Sequence, residues 1–102
     1  MTIAAADHMR EKGGGRIVNI ASVDGFVAFP GMVHYAAAKA GVIGASKALA
    51  KEVAKRGVTV NVLAPGFIES DMTHDIPREQ VLPLIPAGRF GKPEEVAAEA
   101  VF

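Results

Sequence analysis

Three residues carry the most legible chemistry in this chain: Ser22, Tyr35 and Lys39. Tyr35 and Lys39 stand four apart in Tyr-Ala-Ala-Ala-Lys, and Ser22 precedes the tyrosine by thirteen positions. Four residues is just over one helical turn, so on a helix the phenol and the ammonium share a face. Tyr35 is also the only tyrosine in the chain. An unperturbed phenol keeps its proton up to a pH of about 10, and a neighbouring cation favours the phenolate. A serine hydroxyl can bind the same oxygen that the phenol protonates. The trio predicts a proton-transfer site acting on a carbonyl or alcohol oxygen.

The elements around these residues supply the means of positioning them. Residues 3–12 read as a helix that runs into Arg10, Glu11 and Lys12 and is stopped by Gly13-Gly14-Gly15. Cations in a last turn complement the helix dipole, and glycine supplies the left-handed exit. The β-branched run Arg16-Ile17-Val18-Asn19-Ile20-Ala21-Ser22 reads as a strand that ends on the serine. Val23 to Met32, with Gly25, Pro30 and Gly31, reads as a loop.

An alanine-rich helix is expected over 33–56, with Lys47, Lys51 and Lys55 on the wet face and Val42, Leu49 and Val53 on the apolar stripe. Gly41 and Gly44 lower helix propensity, and close approach of a neighbouring element is the expected use. Val58-Thr59-Val60-Asn61-Val62-Leu63-Ala64 is the clearest strand. Its nearly continuous apolar run predicts burial on both faces of a parallel sheet. Asn19 and Asn61 are expected as buried hydrogen-bonding residues.

Strand, long helix, strand makes one βαβ unit. Pro65-Gly66 breaks the second strand at its carboxyl end, where open α/β sheets bind ligands. Beyond it, Pro77 opens a short helix that Pro83 ends, and Pro93 starts another with Glu94 and Glu95 in its first turn.

Composition narrows the function classes. The chain has 102 residues, room for one domain, and half of them are apolar. Eleven basic and eleven acidic residues cancel, which gives no pull toward nucleic acid or an anionic membrane. No cysteine is present, so disulfides and thiolate zinc sites are excluded. His8, His34 and His74 have no metal-ligand spacing. No run approaches a membrane span, and the start Met1-Thr2-Ile3-Ala4-Ala5 does not read as a signal peptide. The expectation is a soluble, cytoplasmic protein.

These motifs resemble the short-chain dehydrogenase/reductase family. Gly15 to Ser22 is similar to its catalytic-serine strand, Tyr35 to Lys39 to its Tyr-x-x-x-Lys motif, and Asn61 to Met72 to the segment that holds the nicotinamide. The wording of Ala36 to Gly41 and of Pro86 to Gly91 is closest to the branch that reduces 3-oxoacyl thioesters carried on acyl-carrier protein. The resemblance covers essentially the whole chain. It implies an α/β fold, part of a Rossmann-like doubly wound parallel sheet: the βαβ unit with flanking helices.

It also implies roles. Tyr35 would protonate the keto oxygen as hydride reaches carbon. Lys39 would raise the acidity of the phenol and bind the nicotinamide ribose. Ser22 would hold the substrate oxygen. Pro65 and Gly66 would shape the turn beneath the nicotinamide, Ile68 would meet its carboxamide through the backbone, and Ser70 would stand where the family has threonine. The implied cofactor is NADPH and the implied pathway fatty-acid synthesis. The implied partners are an acyl-carrier protein met by Lys12 and Arg56 and a second copy of the chain met through the helix bearing Tyr35. Phe67, Ile68, Met72 and Ile76 would line an acyl pocket or pack a flap.

The family's Thr-Gly-x-x-x-Gly-x-Gly phosphate loop has no counterpart here. Gly13-Gly14-Gly15 precedes a strand instead of opening a helix. The adenine-binding strand, the Asn-Ala-Gly segment and the final strand also have no counterpart, so the chain reads as the central-to-late part of such a reductase. Two strands alone are marginal in water, and their unpaired edges recruit other chains. Other readings stay open: the same chemistry on an acyl-CoA, a sugar or another secondary alcohol, or a catalytically inactive association module built on its helices.

Overall fold

The computed structural model describes residues 2–101, without the side chains of Ile3 and Met72. The described chain forms two compact units, one running to Ala64 and one from Pro65. The first unit contains helix α1 (Thr2–Lys12), strand β1 (Gly15–Ile20), a single helical turn α2 (Asp24–Val27), the long helix α3 (Val33–Val53) and strand β2 (Val58–Leu63). The second contains α4 (Arg78–Val81) and α5 (Pro93–Val101), with 3₁₀ turns at Asp71–Thr73 and Leu82–Leu84.

β1 and β2 pair in parallel, from Gly15 opposite Val58 to Ile20 opposite Leu63. The ladder continues one bond further, from the Ala21 amide to the Leu63 carbonyl at 2.7 Å. The turns at the other end of the sheet follow the glycines. The Gly13 and Gly14 amides close α1 on the Arg10 and Met9 carbonyls. Gly57, at φ +74°, ends the 3₁₀ turn Ala54–Arg56 that finishes α3, in a conformation that costs a residue with a Cβ.

The core sits on one face of this sheet. Ala6, Ile17, Val53 and Val58 are buried together, with Met9, Leu49 and Val60 packed against them. Val53 is 0% exposed. The same face carries Asn19, whose Nδ2 donates to Oγ of buried Ser46 on α3 at 2.8 Å. The fold is α/β, a partial Rossmann-like arrangement of a βαβ unit with flanking helices.

Four expectations need correction. β2 is not buried on both faces: Thr59 and Asn61 are exposed, because α1 and α3 cover the opposite side of the two-stranded sheet. Asn61 is therefore a surface residue, while Asn19 is bonded inside. Gly41 and Gly44 mark no close approach, since a Cβ at either would meet nothing within 4 Å. The segment after Ser22 is not all loop, because Asp24–Val27 makes the turn α2. Gly25 lets this turn sit directly on α3: a Cβ there would meet the Ala40 amide nitrogen, the Lys39 carbonyl carbon and Ile43 Cδ1, each at 3.1 Å.

Candidate active site

Ser22 lies two residues past the carboxyl end of β1, and Tyr35 and Lys39 lie in the first two turns of α3. The helical spacing puts the last two on one face: the Lys39 ammonium is 5.6 Å from the centroid of the Tyr35 ring. Lys39 also reaches back to the strand, donating to the Ile20 carbonyl at 3.4 Å. Ile20 is the last residue of β1, so this lysine ties the tyrosine-bearing helix to the strand that leads to the serine. Ser22, Tyr35 and Lys39 are all half-buried, short of the core but within a packed surface.

Ser22 Oγ accepts a hydrogen bond from the Asp24 amide at 3.2 Å. The oxygen is held by the turn behind it, and the hydroxyl proton remains available to an acceptor outside. The exposed apolar side chains Ile20, Phe26, Val27 and Val33 belong to the same strand end, turn and helix start.

The residues expected to meet a nicotinamide lie in the second unit. Pro65 and Gly66 follow β2 directly. Ile68 forms an isolated parallel bridge with Gly91. That bridge uses the Phe67 carbonyl and the Glu69 amide, at 2.9 and 2.8 Å, and leaves the Ile68 amide out. Ser70 caps the turn Asp71–Thr73 in a reciprocal box with Thr73. The Ser70 amide donates to Thr73 Oγ1 at 2.9 Å, and Thr73 Oγ1 donates to the Ile68 carbonyl at 2.6 Å. Thr73 thus fixes both expected contact residues, a role the sequence reading did not assign; the Ser-x-x-Thr spacing was its signal. Phe67 packs on Phe90, with ring centroids 5.7 Å apart. The Met72 side chain lies outside the described residues.

Each unit, taken by itself, offers a donor that suits one group of a nicotinamide nucleoside. An ammonium has three N–H groups, and Lys39 spends one on Ile20, so a ribose diol can take the others. The Ile68 amide suits a carboxamide oxygen. The triple glycine does not fit the phosphate end: the amides of Gly13, Gly14 and Gly15 are bonded to the carbonyls of Arg10, Met9 and Gly57. None of the three is left to cradle an anion.

Lys12 and Arg56, the expected contacts of an acidic carrier, are both exposed. Each ends its helix just before a strand, so they flank the Gly15–Val58 end of the sheet. Ser22 lies beyond the opposite end, about 20 Å away along six strand residues. Among the described residues, no helix is long and apolar enough to cross a membrane.

Known proteins place the chain. The short chain dehydrogenase family matches residues 1–81. The 3-oxoacyl-[acyl-carrier-protein] reductase of a Synechocystis species is 52% identical over 101 residues, taking in 99% of this chain and 41% of the relative. A reductase of the same name, FabG of Vibrio harveyi, is 52% identical over 105 residues, covering 100% of the chain and 43% of the relative. The acetoacetyl-CoA reductase of Rhizobium meliloti is 50% identical over 98 residues, covering 92% and 41%. The chain thus spans about two fifths of the length of these curated relatives. By the family match and by this identity along nearly its whole length, the chain belongs to the short-chain dehydrogenase family.

Proposed function

We propose that this chain carries the proton-transfer half of a reductase that converts a 3-oxoacyl thioester to its 3-hydroxyacyl form. The observation that carries the reading is the position of Lys39, bonded to the end of β1 and facing the Tyr35 ring. In this reading the Ser22 hydroxyl donates to the substrate keto oxygen and holds it. The Tyr35 hydroxyl delivers its proton to that same oxygen as negative charge develops there. The Lys39 ammonium stabilises the phenolate left behind and binds the ribose hydroxyls. Pro65, Gly66, Ile68 and Ser70 hold the nicotinamide end. A bound nicotinamide cofactor, NADPH in the reading taken here, supplies the hydride.

The relatives named for an acyl-carrier protein substrate support a carrier-bound thioester, and the exposed cations Lys12 and Arg56 are where an acidic carrier would dock in this reading. A carrier docked there must extend its acyl arm about 20 Å to reach Ser22. The acetoacetyl-CoA relative supports the free thioester as a substrate of the same chemistry.

The test is NADPH oxidation driven by acetoacetyl-CoA, then by an acetoacetyl carrier protein, with Tyr35→Phe beside the unaltered chain. Loss of the phenol proton should lower kcat by about 10²- to 10⁴-fold and leave NADPH affinity unchanged, as fluorescence reads it. Turnover that survives the substitution removes Tyr35 from its role.

A second reading has its own support. Ala37, Ala38, Gly41, Gly44, Ala45 and Ala48 on α3 are all exposed, and small side chains allow close helix packing. In this reading the chain is a homo-oligomer module without cofactor affinity. Absence of NADPH binding up to millimolar concentration, with a dimer by sedimentation, would favour it.

A further inference from the structure

The geometry points to Asp24 as the positioning residue that holds Ser22 in place, an inference that rests on the catalytic reading above for its consequence but not for its geometry. Asp24 is 4% exposed, and it is the one carboxylate among the buried described residues. A buried carboxylate is costly unless its oxygens are used. Its Oδ1 accepts from the Phe29 amide at 2.8 Å. Its Oδ2 has no hydrogen-bond partner among the described residues. Its backbone carbonyl accepts from the Ala28 amide at 3.0 Å.

These two acceptors bracket Ala28, which stands at φ +59°, in the left-handed region, with a Cβ. Such a conformation persists only where its surroundings over-determine it. Asp24 does so from both sides, through the residue itself and through the one after it. Closing this ring fixes residue 24, and with it the amide that grips Ser22 Oγ. Gly25 seats the same turn against α3 beside Lys39. The carboxylate therefore acts through the turn: it keeps the serine oxygen held from behind and its proton free.

The experiment compares Asp24→Leu, which keeps the shape and removes the acceptor, with Asp24→Asn, which keeps the acceptor and removes the charge. Amide hydrogen exchange on the whole chain reads the position without any cofactor. Asp24→Leu should strip protection from the amides of residues 24 and 29 and leave those of β1 and β2 intact; Asp24→Asn should keep all of them. In turnover, Asp24→Leu should lower kcat about tenfold or more at unchanged KM for NADPH, and Asp24→Asn should restore it. Should Asp24→Leu unfold the sheet, the unaltered chain decides: the Asp24 and Phe29 amides should then exchange with one shared opening constant. Two unrelated constants, retained protection at both amides in Asp24→Leu, or full kcat in that variant would each overturn the inference. Shared opening in a chain that turns over no substrate upholds the inference and removes the catalytic reading alone.

Discussion

The two units hold their candidate site residues by different physics. Up to Ala64, regular elements bury apolar side chains, and Val53 and Val58 are sealed between helix and sheet. Two polar bonds there join separate elements, Asn19 to Ser46 and Lys39 to Ile20. From Pro65 onward, one large side chain is buried among the described residues, Phe90 at 2%. It is covered by the Phe67 ring and by the Arg78 guanidinium, 4.5 Å from its centroid. The rest of that unit is held by side chains that cap backbone, above all Thr73 and Glu95. Apolar burial sets the strand and helix that carry the proton-transfer residues, with local bonds at the Asp24 turn fixing Ser22, and capping places those expected to meet the cofactor. The first kind tolerates surface change and fails by cavity; the second fails one hydrogen bond at a time.

The largest effect expected from breaking this contrast is at Phe90. Phe90→Ala removes the only large buried side chain described in its unit, a loss of about 3–5 kcal/mol by the usual scale for a buried phenylalanine. The loss should read as collapse of amide protection at Glu69 and Gly91, the two ends of the Ile68 bridge. Phe90→Leu should recover most of it. Protection at those amides unaffected by the alanine would show that capping alone holds the unit.

Val53→Ala comes next. It opens a small cavity at the centre of the first core and should cost about 2 kcal/mol. The loss should appear across the β1 and β2 amides together, because one cluster supports both strands. A graded loss confined to the C-terminal turn of α3 would contradict a single core.

Thr73→Val keeps shape and deletes the hub hydroxyl. The Ser70 amide and the Ile68 carbonyl both lose their partner, at about 1 kcal/mol for a lost helix cap. The expected signature is faster exchange at the Ser70 amide with β1 and β2 untouched, and Thr73→Ser should reverse it. Equal exchange in all three proteins would remove Thr73 from the positioning of Ile68 and Ser70.

The same contrast explains what the sequence made legible. The two strands, the long helix and the turn glycines were readable, because each depends on periodicity or on a local backbone need. Tyr35 and Lys39 were readable as a pair for the same reason, since a spacing of four sets a helix face by itself. Burial on the second face of β2 was misread: an apolar strand shows that it can be covered, not what covers it. Gly41 and Gly44 were misread likewise, because a glycine permits close approach without requiring a neighbour. Asp24 gave no sign, as its role depends on Phe29 five residues on and on the left-handed Ala28 between them. Thr73 was hidden in a short Ser-x-x-Thr box that periodicity does not detect.

The smallest expected effect is an acid one, and it belongs to the capped unit alone. Glu95 stands at the third position of α5 and reaches back to accept from the Lys92 amide at 3.2 Å, while its own amide donates to the Lys92 carbonyl. Arg89 grips the same carboxylate with both Nη atoms, at 2.7 and 3.1 Å. The Arg89 hydrogen bond first, and the Lys92 amide after it, hold the Glu95 carboxyl below the usual carboxylate range. A carboxylate lowered on folding adds stability that is fully present above its unfolded value and is lost as pH falls through the lower folded one. Both side chains are exposed, so water and salt keep the contribution small. The first turn of α5 should therefore fray through the acid end of the carboxylate range and fray less steeply in Glu95→Gln, which keeps the cap but has no proton to gain. Added salt should weaken the Arg89 part and leave the Lys92 part. Amide exchange at Glu95, followed against pH in both proteins, checks the slope; equal slopes would mean that Arg89 only decorates the helix start and that the cap alone holds it.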